Sequence, residues 1–280
     1  PGSVYETLEL IQDRDVSYAE ITHSDQPVPG TEQALEIQRF EFDRKADAEV
    51  AAATAAIPPR IRREALAALK ANYPPMPPRQ FEKLLRLIWL NNERYVRVSP
   101  ARRVAQLLWL FHQARTHGGI FLDVEASGPG TPQETRVLFA VGNPPHKGYL
   151  AQVTEVFNRL NLGVRRCYAL TITTGVHPYF LGTFYVLRRD GGLVEKDSEL
   201  FSQLQHELYN TQILSSDSAT YRDLVVKRLL TGEEASLINA FIGFCHTSLA
   251  HNQPHRYTLE DVIRAFHSHP EMALKLVRLF

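Results

Sequence analysis

The stretch Arg136-Val137-Leu138-Phe139-Ala140-Val141-Gly142-Asn143-Pro144-Pro145-His146-Lys147-Gly148-Tyr149-Leu150-Ala151 decides how this chain is read. Arg136 to Val141 is a short apolar run of strand length. Asn143 to Gly148 is a Pro/Gly loop. From Tyr149 to Leu160, the residues Leu150, Val153, Phe157 and Leu160 recur at helical spacing, and Gly163 stops the helix. Val164 to Thr173 and Phe180 to Leu187 read as strands around a turn at Gly175 to Pro178. Asp190-Gly191-Gly192 is a further turn, and Glu195 to Tyr209 reads as a helix. The order is strand, helix, strand, strand, helix.

The same order, without its first strand, precedes this segment. Val4 to Asp13 is helical, with Val4, Leu8 and Ile11 on one side. Val16 to Ile21 alternates as a strand, and Asp25 to Thr31 is a turn region. Leu35 to Phe42 alternates in two phases, Leu35 and Ile37 and then Phe40 and Phe42, which predicts a bulge between the pairs. An Ala-rich helix over 46–56 and a helix over 60–71 follow. Helix 4–13, strands 16–21 and 35–42 and helix 46–56 therefore echo helix 149–160, strands 164–173 and 180–187 and helix 195–209 as an internal repeat.

Tyr73-Pro74-Pro75-Met76-Pro77-Pro78 reads as an extended, semi-rigid linker. Helices are expected from Arg79 to Leu90 and from Ser99-Pro100, with Ser99 as N-cap and Val104, Leu107, Leu108 and Phe111 on one stripe. Arg94 to Val98 reads as a short strand, Ile120 to Ala126 as another, and Gly118-Gly119 as a helix stop. After Ser216 the pattern is helical near 217–230, 232–250, 258–268 and 270–280, the third opening on a capping box from Thr258 to Asp261. The expected organisation is a truncated module over 1–73, a Pro-rich linker and helices over 74–118, a complete module over 119–215 and a helical segment over 216–280.

The chain has 280 residues, 44% of them hydrophobic and 22% charged, which suits a folded protein with a real core. Lys plus Arg and Asp plus Glu both number 31, so the formal net charge is zero. That balance argues against a nucleic-acid partner and against charge-driven attachment to an anionic membrane. No apolar run is long enough to cross a bilayer, and this sequence shows no signal-peptide pattern before the first helix. Cys167 and Cys245 do not form a disulfide framework, which fits a reducing, cytoplasmic setting. The chain opens on Pro1-Gly2-Ser3, and an apolar helical pattern runs to Phe280. It is expected to be a piece of a larger protein.

The chemistry-bearing motifs are few. There is no dinucleotide fingerprint, Walker loop, H-E-x-x-H, G-x-S-x-G or C-x-x-C. His246, His251, His255, His267 and His269 cluster at irregular spacings, and they read as caps and surface groups instead of a zinc site. Arg94, Arg97, Arg102 and Arg103 read as solvated charge and ion pairs. The expectation is no catalytic residue, no metal and no cofactor bound by this chain. The loop carries the strongest signal. Gly148 lets the backbone turn tightly, and the free N–H groups at the following helix start favour an anion such as an amino-acid carboxylate. Asn143, His146, Lys147, Gly148, Tyr149 and Leu150 form the candidate ligand-binding set. A tight turn serving only the fold is the competing reading.

These residues resemble an ACT domain, a family of βαββαβ ferredoxin-like order whose first loop typically reads Asp-x-Pro-Gly-Leu-Leu-Ala. Gly148, Leu150, Ala151 and Gly163 match that pattern, Asn143 stands at the Asp position, and the loop is longer. Gln212-Ile213-Leu214 is the expected fourth strand. The larger arrangement resembles the N-terminal, non-catalytic region of large NAD-dependent glutamate dehydrogenases. Ala235 to His246, Tyr257 to Val262 and His269-Pro270-Glu271 look like the helical lead-in to that family's catalytic domains. The resemblance implies an α+β fold of ACT-type modules followed by an all-helical segment. It implies a regulatory and oligomerising region whose partners are its own catalytic domains, other subunits and an amino-acid effector, with NAD used by the parent enzyme. A stand-alone amino-acid-binding regulator is the alternative, and a small enzyme with a His-rich site is a third.

Overall fold

The computed structural model describes residues 3–31, 33–42, 56–117, 120–126, 134–144, 147–175, 178–211, 224, 229–230, 232–253 and 256–279. In chain order the elements are α1 (Ser3–Leu10), β1 (Val16–Pro27), β2 (Ala34–Phe42), α2 (Pro59–Asn72), α3 (Pro78–Asn91), α4 (Glu93–Val98), α5 (Ala101–Thr116), β3 (Ile120–Ala126) and β4 (Thr135–Gly142). Then come α6 (Tyr149–Arg159), β5 (Leu162–Thr173), β6 (Pro178–Arg188), α7 (Glu199–Asn210), α8 (Gly232–Asn252), α9 (Leu259–Ser268) and α10 (Pro270–Val277). The fold is α+β. The strands among the described residues form one antiparallel sheet in the order β2-β1-β5-β6-β4-β3.

β1 and β2 pair directly, with Ala19 opposite Phe40 and Ile21 opposite Gln38. β1 also pairs with β5, with Ala19 opposite Ala169 and Ile21 opposite Cys167. This second pairing joins strands about 150 residues apart in sequence into a single sheet. β3 pairs with β4 at the far edge, with Leu122 opposite Phe139.

Both faces of the sheet carry helices over its central strands. Successive residues of β4 point to opposite sides. Leu138 and Ala140 join one core with Phe81, Leu84, Ile88 and Trp89 of α3 and Val104, Leu108 and Phe111 of α5. Val137, Phe139 and Val141 join another with Leu8 of α1, Val153 and Phe157 of α6, and Leu204 and Leu208 of α7. Each fully buried Leu or Phe contributes about 1.5–3 kcal/mol relative to an exposed one. A sheet of the expected kind leaves one face for another module or subunit to cover. Here α3 and α5 pack on that face over β3 to β6, with α2 behind α5, while Leu35 and Ile37 of β2 stay exposed on it.

The connector before α3 is extended, as its prolines dictate, and it is packed down. The Tyr73 ring stacks on Trp109 at 5.2 Å, and Met76 lies against the same core. Asn91 ties α3 to the sheet. Its side-chain amide donates to the Thr173 carbonyl at 2.8 Å, and its side-chain oxygen accepts from the Thr173 N–H at 2.7 Å. The C-terminal helices have a small core of their own, built on Ile238, Ile242, Val262, Ala273 and Val277. The Thr258 capping box is formed. The Thr258 hydroxyl accepts from the Asp261 N–H at 3.2 Å, and the Asp261 carboxylate accepts from the Thr258 N–H at 3.1 Å.

Three local expectations are corrected. Arg94 to Val98 belongs to the helix α4, because the Asn92 side chain caps the Tyr95 N–H at 2.8 Å. β1 runs on to Pro27, and the chain reverses at Val28 to Gln33, where Gly30 has φ +83°. The register shifts lie in β1, between Val16 and Tyr18 and between His23 and Pro27, not between Ile37 and Phe40 of β2. Leu35 and Ile37 face one side and Phe40 the other, so β2 changes its apolar phase without a bulge. Residues 46–55 of the expected helix 46–56 and strand 212–214 fall outside the described residues, and Ala56 is not helical.

Candidate functional site

The loop 143–150 joins the end of β4 to the start of α6. Asn143 has φ +53°, a left-handed conformation that Asn tolerates, and its N–H donates to the Pro178 carbonyl at 2.9 Å. Pro144 is buried and Lys147 is exposed. No ion pair or hydrogen bond holds the Lys147 side chain among the described residues. Pro145 and His146 lie outside the described residues. Gly148 is the N-cap of α6 with φ +67° and ψ +4°. A Cβ at this position would meet the Gln12 carbonyl oxygen at 3.2 Å and the Gln12 Cβ at 3.6 Å. Glycine is therefore favoured by its backbone angle, and a Cβ here would also need Gln12 to give by a few tenths of an ångström.

Tyr149 and Leu150 turn inward. The Tyr149 ring meets Phe180 edge-on at 5.1 Å, and its hydroxyl shares a hydrogen bond with the Thr211 hydroxyl at 3.1 Å. Burial pushes the Tyr149 phenol well above its ordinary range, so it stays neutral. Leu150 is a core residue. These two members of the candidate set line the cavity beside the loop, whereas Lys147 is exposed and not part of that lining.

The loop closes over a cavity of about 20 Å³ between α1, β1, β5 and the start of α6. Gln12, Arg14 and Asp15 line one side, and Pro144, Gly148 and Thr171 line the others. The Thr171 hydroxyl donates to the Val16 carbonyl at 3.3 Å. Among the described residues no side-chain cap serves the N-terminus of α6, and its first turn, Gly148 to Ala151, lines the cavity. The volume is that of roughly one water molecule. The arrangement offers a helix N-terminus and the opposed charges of Arg14 and Asp15, with no nucleophile–base pair. Its chemistry is binding. The Gln12 to Asp15 side of the cavity was missed in the sequence, because only β1–β5 pairing brings it to the loop.

The other singled-out residues separate. Arg103 lies 3.8 Å from the ring centroid of Tyr168 and 3.8 Å from Glu20. No three His, Cys, Asp or Glu side chains converge on a metal-sized site among the described residues. His255 and the His251 side chain lie outside those residues. Cys167 and Cys245 are free thiols, and burial pushes the Cys167 thiol far up. No helix among the described residues is long and apolar enough to cross a membrane. No protein-family model matches the chain, and no curated protein matches it either.

Proposed function

We propose that this chain is a regulatory and subunit-assembling region of a large NAD-dependent glutamate dehydrogenase and that its loop 143–150 senses an amino acid. The catalytic domains of that parent enzyme would oxidatively deaminate glutamate to 2-oxoglutarate with NAD. The observation that carries the reading is the relation between the two halves of the sheet. β4, α6, β5, β6 and α7 follow the order of an ACT-type module, with β6 between β4 and β5. β1 and β5, the corresponding strands of the two repeats, pair antiparallel, and α1 and α6 pack together on one face. The loop cavity lies at that junction, so a ligand there would bear on both halves. In a βαββαβ module the last strand pairs with the first, and here β3 holds that place.

As it stands the cavity admits a water and not an amino acid. Sensing therefore requires Gly148 and the loop to move away from Gln12, and the ligand's carboxylate would then take the N-terminus of α6, with Lys147 beside it. A second reading rests on the same tightness: the loop is a clasp that fixes the two halves of the sheet. The test is isothermal titration of the common amino acids against the whole chain. Saturable binding lost on changing Lys147 to Ala supports sensing, and no binding of any of them supports the clasp. For the parent assignment the test is the gene sequence beyond Phe280. A Gly-rich dinucleotide-binding domain there is expected, and a stop codon soon after would overturn the assignment.

A further inference from the structure

A second cavity lies at the opposite ends of α1 and α6, where the first turn of α1 meets the start of β5 and the end of β6. Its volume is about 310 Å³, against about 20 Å³ at the loop, and it shares no lining residue with the loop cavity. This is the low end of the range for small-molecule pockets, about 300–1,000 Å³. Its basic lining is Arg165, Arg188 and Arg189, with His23 beside them and no Asp or Glu.

Carboxylates behind the lining hold part of this charge. Glu36 pairs with His23 Nε2 at 2.6 Å and accepts from the Ser3 hydroxyl at 2.7 Å. The other His23 ring nitrogen lies 2.7 Å from the Arg165 carbonyl oxygen. Arg188 is held by Asp190 and by the Leu193 carbonyl. Two arginines are left less committed. Glu134 is engaged closely with Arg166 and lies 3.9 Å from Arg165, whose other contact is a 3.2 Å bond to the Ser24 carbonyl. Arg189 has no partner among the described residues, and neither do the side-chain amides of Asn158 and Asn161 on the same wall. Guanidinium forks beside free amide donors match acidic oxygens in planar or tetrahedral groups.

We propose that this cavity binds a small organic dianion, a dicarboxylate or a phosphomonoester. The excess of unmet positive charge calls for two negative charges, and the volume leaves room for an organic body between or behind them. The first turn of α1 adds its positive dipole end to the same wall. Such a ligand would tie α1 to β5 and β6, and so brace the two halves of the sheet at the end remote from the loop.

The test is isothermal titration of the whole chain with succinate and, separately, with glycerol 3-phosphate, which distinguishes the two ligand types. One of them is expected to bind saturably with one site per chain. Arg189→Ala, at an exposed and unpaired position, is expected to weaken that binding about tenfold or more, and Asn158→Ala to weaken it less. Arg14→Ala, at the loop cavity, is expected to leave it unchanged. No saturable binding of either probe up to about 10 mM overturns the proposal. So does binding that Arg189→Ala leaves intact, or that Arg14→Ala weakens as much. Because the two cavities share no residue, failure here leaves the sensing reading of the loop standing.

Discussion

Gly148 and Gln12 meet so closely that a methyl group on the first would lie 3.2 Å from the carbonyl oxygen of the second. The contact joins the N-terminus of α6 to the turn after α1, and through them the two halves of the sheet. Gly148 also has φ +67°.

Replacing Gly148 separates these two demands when it is compared with Gly191. Gly191 has φ +75° and open space around its missing Cβ. Gly191→Ala is expected to cost about 1–2 kcal/mol from the left-handed backbone alone. Gly148→Ala is expected to cost more, because Gln12 must also give way. Urea denaturation of the two variants checks this, and equal losses would show that the Gln12 contact has slack.

Helix packing on both sheet faces is tested on two consecutive residues. Leu138→Ala and Phe139→Ala each remove a fully buried side chain, from opposite layers. Losses of about 2–5 kcal/mol are expected for both. If Leu138→Ala proved nearly neutral, helices α3 and α5 would not be packed on that face as described.

A pH effect is expected at His112. Burial, and then the neighbouring charges of Arg115 and His117, hold its pKa below the usual histidine value. The Gln80 side-chain amide nitrogen, a donor only, donates to His112 Nδ1 at 2.7 Å, so the neutral ring fits. With the folded value lowered, the unfolded chain takes up the proton first. The stabilising contribution is therefore whole above the unfolded value of about 6.5 and is lost as the pH falls from there through the lowered folded value. Denaturation curves across that interval are expected to flatten in His112→Gln. An unchanged slope would assign the pH dependence to other groups.

Much of this architecture was legible in the sequence where the signal is local. Arg136 to Val141, the turn at Gly148, the helix from Tyr149 and the capping box at Thr258 are all written in residues close together in the chain. The covered face was less so, although its sign was present: β4 is apolar without alternation, as a strand buried on both sides must be. The short helix α4 was misread because Val96 and Val98 favour a strand, while the cap that decides the matter is the single side chain of Asn92. The Gln12 side of the loop cavity and the arginine-lined cavity could not be read at all. Each is assembled from α1 and from segments more than a hundred residues away, through the pairing of β1 with β5.

The central claim is that the loop beside Gly148 senses an amino acid. The most direct measurement is a thermal-denaturation screen of the common amino acids on the whole chain and on Lys147→Ala and Gly148→Ala. A ligand at a hundred times its Kd adds about 2.7 kcal/mol, a rise of several degrees for a chain of this size. The account predicts such a rise for at least one amino acid, diminished in Lys147→Ala and abolished in Gly148→Ala. No rise with any amino acid, or the same rise in all three proteins, would contradict it.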